Sequence, residues 1–399
     1  MVGTIALSRP LECVTLSGPN RAKAESPLQT EFETKRARLV DYMDRRGLDG
    51  VLLQQRANFA WITCGGDNHV ANDNAVGVAA VLVGRQGNVV CLTDSIEAAR
   101  VRDEELATLD IPVVSFPWFD GKAREALLAE HVGGRRIATD AAALGAGLPS
   151  LAGDFPEIRW SLTEAEVQRY HVCGRHVADA LESAARQVHP GHSEHAVAAM
   201  VSAEVQRRGC TPRVVLVAAD DRGDACRHPI PTARRIERQV VLIACGAFGG
   251  LVSSVTRTVH FGRLPDEARR RHVAAATVHA AAIDATRVGR RLGDVFGDIV
   301  ATYDWAGFPH EWTKHHQGGS AGYAARDVVA TAASNESVEV NQAFAWNPTV
   351  AGHKCEETLL VGAGPPLVLT APNSSWPTLA VRLRPNVVFD EADILVATG

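Results

Sequence analysis

The sequence predicts a mixed α/β protein of two domains, and three observations carry that expectation. The chain has 399 residues, beyond the size at which a single hydrophobic core keeps growing. Up to about residue 158, short apolar runs alternate with helical patterns, as in a compact α/β unit. Beyond it the texture changes to long helices alternating with strand pairs. We therefore expect a first domain over 29–159 and a second over 160–399.

Residues 1–28, with Pro10, Pro19 and Pro27, read as a loose extension or a strap on a partner subunit. Thr30 is placed to cap a helix over 30–47, with Phe32, Leu39 and Met43 near helical spacing and Gly47 as its stop. Strands are expected at 50–53, 76–83 and 89–92, the last two separated by Gly84 and Gly87. Asp94 caps a helix reaching Val101, and short strands follow at 113–114 and 137–138.

The second domain opens on Ser161-Leu162-Thr163-Glu164, a capping box before a long helix. Val167, Tyr170, Val177, Leu181 and Ala184 share one face of that helix, and Pro190-Gly191 stops it. Ser193 starts a second helix that ends at Gly209. Strands at 214–218 and 240–244, helices at 265–285 and 292–303, and strands at 338–348 and 359–361 complete what looks like a duplicated half-unit.

Composition narrows the function classes. The chain is 46% hydrophobic and 22% charged, with net charge −5, as in a soluble globular protein. No basic stripe points to nucleic acid or to an anionic membrane. The expected partners are a small-molecule substrate and a second copy of the chain. Eight scattered cysteines form no C-x-x-C pair. That argues against a zinc ribbon or a disulfide framework and for reduced thiols in the cytoplasm. No secretion signal is evident, and no apolar run reaches the ~18 residues of a membrane span.

Four segments of the second domain concentrate the polar chemistry. His228 stands in Arg227-His228-Pro229-Ile230-Pro231-Thr232, on a rigid turn ahead of a buried strand. The hairpin 240–262 turns at Gly246, Gly249 and Gly250 and carries Thr256-Arg257-Thr258 on its return. His315-His316-Gln317-Gly318-Gly319 leads to Tyr323 and Arg326. Its glycines would admit a ligand close to the backbone, and strand alternation would let only one of the two histidines face a given pocket. In His353-Lys354-Cys355-Glu356-Glu357-Thr358, alternation puts Lys354 and Glu356 on one face.

In order, these segments resemble the pita-bread-fold family of creatinase, prolidase, aminopeptidase P and methionine aminopeptidase, over roughly 160–365; the first domain resembles the creatinase-type N-terminal domain more weakly. Ala244-Cys245-Gly246-Ala247 is similar to the family's D-x-G-A. Gly250 to Thr258 is similar to G-Y-x-x-D-x-T-R-T, the His-Gln-Gly-Gly segment to G-H-G-x-G, Phe344 to Pro348 to a strand ending in E-P, and Glu356 to Leu359 to E-D-x-x. Metallopeptidases of this fold hold two metal ions with two Asp, one His and two Glu. The matching positions here are Ala244, Ser254 and Asn347, leaving one His (His315 or His316) and Glu356. Two close cations need bridging carboxylates, so no metal centre and no cofactor is expected.

Creatinase cleaves a C–N bond without metal, and the resemblance extends to it. His228 aligns with its catalytic His, Arg326 with a carboxylate-binding Arg if His315 is the aligned histidine, and Glu356 with a substrate-binding Glu. Thr256 replaces a creatinase glutamate, so a guanidinium substrate is not expected. The resemblance implies a metal-independent hydrolase or lyase acting at a C–N bond of a small, specialised-metabolism substrate. His228 would be the general acid/base, Glu356 would orient it or bind a cation, and Arg326 would grip a carboxylate. Thr256, Tyr323 and Asn347 are further binding candidates. Family members pair as dimers in which the first domain reaches the neighbour's site. Arg56 and His69, in a polar loop expected after the first strand with Asn58, Trp61, Asn72 and Asn74, are the candidates for that contact. A non-catalytic dimeric binding module is the alternative, and a metallopeptidase with substituted ligands such as Cys245 or His353 is a third.

Overall fold

The computed structural model describes residues 26–142, 144–145 and 147–397. The expected extension therefore lies outside the described residues except for its last three, which begin the first helix. That helix, Pro27–Arg46, is capped by Ser26, whose hydroxyl accepts from the Gln29 amide, and not by Thr30. Pro27 explains the earlier start, since a first-turn proline has no amide to satisfy. Gly47 ends it in the left-handed region, φ 63°.

The first domain is built on β1 (Gly50–Gln55), β2 (Val76–Gly84), β3 (Val89–Asp94), β4 (Val113–Phe116) and β5 (Ile137–Thr139), in the order β4-β3-β2-β1-β5. β1 to β3 are antiparallel neighbours, while β4 and β5 run parallel to β3 and β1. Val51-Leu52-Leu53 is apolar without alternation because both faces of β1 are covered: Val51 and Leu53 join one core, Leu52 another. Asp94 makes an Asx turn to the amides of Ile96 and Glu97 where a helix cap was expected, and the helical turns begin only at Ala98.

In the second domain the capping box is Thr163 with Glu166, two residues beyond the expected one. Helices Glu164–Arg186 and Glu194–Arg207 cover a sheet of β6 (Thr211–Ala219), β7 (Gln239–Phe248) and β8 (Leu251–Phe261). Helices Asp266–Ala285 and Leu292–Trp305 cover the other half. That half contains β9 (Gly318–Ala321), β10 (Val328–Val329), β11 (Ala343–Trp346), β12 (Thr349–Val350), β13 (His353–Lys354), β14 (Glu357–Leu360) and β15 (Leu367–Val368). Its main sheet runs β10-β9-β11-β14-β15. The expected strand 338–348 is shorter, since only Ala343–Trp346 pairs. A hairpin of β16 (Thr378–Arg384) and β17 (Val387–Ala392) follows, and β18 (Leu395–Ala397) extends the first sheet beside β8.

The two sheets are stitched along β8 and β14. The Ser254 amide donates to Thr358 Oγ1 at 2.8 Å, and the Thr256 amide to the Glu356 carbonyl at 3.1 Å. Behind the stitch, the fully buried Arg257 bonds Glu182 at 2.9 Å and Glu357 at 2.6 Å. These contacts hold Glu356 over Thr256.

A buried charge cluster joins the domains. Lys35, fully buried on the first helix, reaches Glu31 Oε1 at 2.5 Å, Glu166 Oε1 at 2.8 Å, the Trp61 carbonyl at 2.7 Å and the Tyr323 hydroxyl at 3.1 Å. Tyr323 donates to Glu166 at 2.7 Å, and Arg169 bonds Glu31 at 2.9 Å. Arg159 adds a second link, pairing with Asn58 and Asp327. Removing one member of such a cluster leaves uncompensated charge in a dry interior. Lys35→Met is therefore expected to lose about 3–5 kcal/mol of unfolding free energy. Urea titration of Lys35→Met against wild type measures it, and a loss below about 1 kcal/mol, the range of an exposed pair, would show that the cluster is solvated.

Candidate active site

His228 projects from the turn between β6 and β7. The turn is pinned from below: the Val217 amide donates to the Pro229 carbonyl at 3.1 Å, and the buried Glu194 accepts from the Thr232 amide at 2.8 Å. Arg227 bonds the Asp224 carbonyl at 2.8 Å and lies 3.5 Å from Glu311. Glu311 opens the short 3-10 turn Glu311–Lys314 that delivers His315. One ion pair thus ties the His228 turn to the segment carrying the other two histidines.

His315 and His316 precede β9, which begins only at Gly318, so strand alternation does not separate them. Their rings lie 4.4 Å apart, and both approach His228, at 4.9 and 5.7 Å between ring centroids. His315 Nε2 is 3.2 Å from His228 Nε2, so one imidazole donates to the other. The expectation that one histidine would face away is overturned, because the segment is irregular. The glycines also play another role. A Cβ at Gly318 would meet the Ala345 carbonyl oxygen at 2.1 Å, and one at Gly319 the Val328 oxygen at 1.9 Å. They admit neighbouring strands, not a ligand.

Across from the histidines, Glu356 is buried and fully engaged. Oε1 meets Arg326 at 3.1 Å; Oε2 meets Lys354 at 2.8 Å and accepts from Thr256 Oγ1 at 2.8 Å. Burial alone would raise this carboxyl, but Lys354, Arg326 and the hydrogen bonds hold it down to about 2. Glu356 is thus ionised and matched by two cations. Among the described residues it makes no hydrogen bond or ion pair with the histidines, and both of its oxygens already meet cations, so it does not orient His228 as expected from the sequence. Lys354 was not among the expected site residues, although its alternation with Glu356 placed both on one face.

All three imidazoles titrate low. Burial lowers His228 from its ordinary value, with Lys354 adding to the effect. Burial, then Lys354 and the other two rings, push His315 down to about 3. Burial, then Arg326 and His228, push His316 down to about 4. At neutral pH the cluster is a set of uncharged imidazoles able to accept, donate and relay protons.

The remaining candidates lie around this centre. Asn347 sits across from Gln317, its side-chain oxygen buried without a partner among the described residues. Tyr323 points away, its hydroxyl taken by Lys35, Arg169 and Glu166, while its ring lines a cleft between the domains. Arg56 lines the same cleft; it begins a short helix, Arg56–Ile62, where a loop was expected. That helix buries Asn58 and Trp61, making them structural. His69 Nδ1 lies 2.6 Å from Asp67.

A dinuclear metal set of the kind the resemblance implies does not fit these residues. Ser254 faces Cys245 across the hairpin, its hydroxyl 3.2 Å from the Cys245 sulfur and 3.2 Å from Arg326, with no carboxylate at either position. Ala244 pairs with Val255 and joins the apolar core. Cys245 is buried with its thiol pushed up, mainly by burial, which disfavours the thiolate ligand. His228, His315 and His316 are different: each offers one nitrogen, and the three lie within 4.8 Å of one another, close enough to share one ion.

Comparison with known proteins accords with this architecture. Residues 35–169 match the creatinase/prolidase N-terminal domain, and 168–370 match metallopeptidase family M24. A comparison with curated protein sequences gave no match. Similar solved structures include dipeptidase PepE from Mycobacterium ulcerans (19% identity, 93% of this chain, 99% of that one, TM-score 0.72). Prolidase from Pyrococcus horikoshii OT3 is another (16%, 86%, 99%, 0.72). The N-terminal domain of the FACT complex subunit SPT16 from chickpea, Cicer arietinum, shares the fold (10%, 86%, 97%, 0.64). At these identities the neighbours show the fold, and the two family matches together span 35–370: the chain belongs to metallopeptidase family M24.

Proposed function

We propose that this chain is a metal-independent enzyme that cleaves a C–N bond of a small molecule by histidine acid/base catalysis. The observation that carries the reading is the cluster of three uncharged imidazoles beside Glu356, Lys354 and Arg326. In hydrolysis, neutral His228 takes a proton from water, the hydroxide adds to the carbon, and the imidazolium returns the proton to the departing nitrogen. His315, hydrogen-bonded to His228, supplies a second station for that proton. The same groups serve elimination or cyclisation if the proton comes from the substrate instead. Two cations against one carboxylate give the wall opposite His228 a net positive charge. It suits a substrate carrying a carboxylate or developing negative charge and opposes a guanidinium. The metabolic setting we infer is a specialised pathway in the cytoplasm, with the chain working as a dimer.

His228→Ala is expected to lower kcat about 10²–10⁴-fold, the usual weight of a general acid/base. Undiminished turnover in enzyme purified without added metal would remove His228 from the mechanism. The pH dependence has a definite sign. His228 works as a base when neutral, and its pKa is depressed, so kcat/KM should hold as pH falls through 6.5 and decline only below it. Lys354→Met removes a cation that depresses His228, and its acid limb should move upward. A wild-type limb lying above 6.5, or no upward movement in Lys354→Met, would contradict the assignment.

A second reading has its own support. The three histidine nitrogens within 4.8 Å of one another could hold a single transition-metal ion with an open position. Chelator treatment with elemental analysis separates the two. Full activity in metal-depleted protein is the expected result; loss that one equivalent of zinc or cobalt restores would establish the metal reading. A non-catalytic dimeric binding module is the contrasting class, and turnover by wild type but not by His228→Ala separates it from the enzyme.

A further inference from the structure

The open cleft between the domains, about 370 Å³, has no role in the chemistry above. Arg56 comes from the first domain and Arg213 from β6, and both line it. Arg56 is only 7% exposed; its Nη1 donates to the Asn72 carbonyl at 3.2 Å, while its Nε and Nη2 have no hydrogen-bond partner among the described residues. One carboxylate serves both guanidiniums: Asp67 lies 3.5 Å from Arg56 and 4.0 Å from Arg213, beyond hydrogen-bond length, with its short contact at His69 instead. The exposed Asp73 also lines the cleft. A buried guanidinium that leaves donors unmade is costly unless something fills them.

The cleft and the active site are joined by one face of β8, on which Val252, Ser254 and Thr256 alternate. Val252 lines the cleft, Ser254 meets Arg326, and Thr256 meets Glu356. Residues two apart on a strand share a face and stand about 7 Å apart. The floor therefore runs from the cleft past Arg326 to Glu356 within about 14 Å. Ala325, next to Arg326 in sequence, lines the cleft as well.

We propose that this cleft is an anion subsite, in which Arg56 and Arg213 hold a carboxylate at one end of an elongated ligand whose other end reaches Arg326. The ligand is a substrate if the enzyme reading above holds; the binding itself does not depend on turnover. Two guanidiniums presented from different elements suit a carboxylate better than a neutral group.

Calorimetric titration of the full chain with succinate, adipate and sebacate, with adipamide as neutral control, tests this. Affinity should rise with chain length as the second carboxylate comes within reach of Arg326, and adipamide should not bind. Arg213→Gln and Arg56→Gln should each weaken sebacate at least about tenfold, as expected for a lost hydrogen bond to a charged group. Arg326→Gln should weaken sebacate but not succinate. His228→Ala should bind all three as wild type does, so a failed catalytic assignment stays distinct from a failed subsite. If Arg56→Gln does not fold, the half-buried Arg213 decides the matter alone. Unchanged sebacate affinity in Arg213→Gln, equal binding of adipamide, or no dependence on chain length would overturn the proposal.

Discussion

The structure depends on one buried lysine. Lys35 is fully buried and reaches two carboxylates, a carbonyl and a phenol. Its stem belongs to the first domain, while Glu166 and Tyr323 belong to the second. An ammonium in such a place is tolerable only because every donor is satisfied and two carboxylates face it. The consequence is positional. Tyr323 is fixed three residues before Arg326, and Asp327, one residue beyond, is fixed by Arg159. The loop carrying Arg326 is held at both ends, so the guanidinium that meets Glu356 is placed by contacts that also set the domain interface. The cleft lined by Arg56 and Arg213 is the space this clamp leaves beside Tyr323.

The second constraint is charge balance at Glu356. A dinuclear member of the fold sets two divalent cations against several carboxylates. Here Ser254 and Asn347 occupy the positions at which the family resemblance expects carboxylates, and Lys354 with Arg326 supplies the positive charge that Glu356 needs. A buried carboxylate without a cation would protonate; one held by two stays ionised and keeps both cations in place. At Glu356, protein ammonium and guanidinium groups serve as the counter-charge. The same surroundings explain why three histidines can crowd together. Burial first, and then the nearby cations, keep each imidazole neutral, and neutral rings do not repel.

Much of this was legible in the sequence, and what was not has physical causes. The unbroken apolar run from Val51 to Leu53, the Ser193 cap and the hairpin after Val240 are local signals, and the structure follows them. Errors arose where tertiary context chose between equivalent local options. Ser26 outcompetes Thr30 because Pro27 favours it, and Thr163 takes the cap because its box partner is Glu166. Helix Gly121–Val132 buries no residue fully, so its sequence has little apolar face to reveal. The expectation that His315 and His316 face apart fails because β9 begins three residues beyond His315, at Gly318. Tyr323 and Asn58 looked functional because they are polar and near motifs, yet their partners, Lys35 and Arg159, lie far away in sequence. No single-sequence pattern encodes such pairs.

These features together bear on which substrate the site would accept. The wall formed by Lys354, Glu356 and Arg326 carries excess positive charge, and its carboxylate is spent internally. A cationic guanidinium would have to displace Lys354 or Arg326 from Glu356, leaving a buried cation unpaired, which is the costly outcome for any ion pair. An anionic or neutral group needs no such displacement, because Arg326 keeps an Nε with no partner among the described residues. Thr256 reinforces the point, since its hydroxyl is already committed to Glu356 and brings no charge of its own. The residues around Glu356 therefore favour negative charge at the proposed reacting end. The unfilled guanidinium donors in the cleft repeat that preference at the far end of the same strand face.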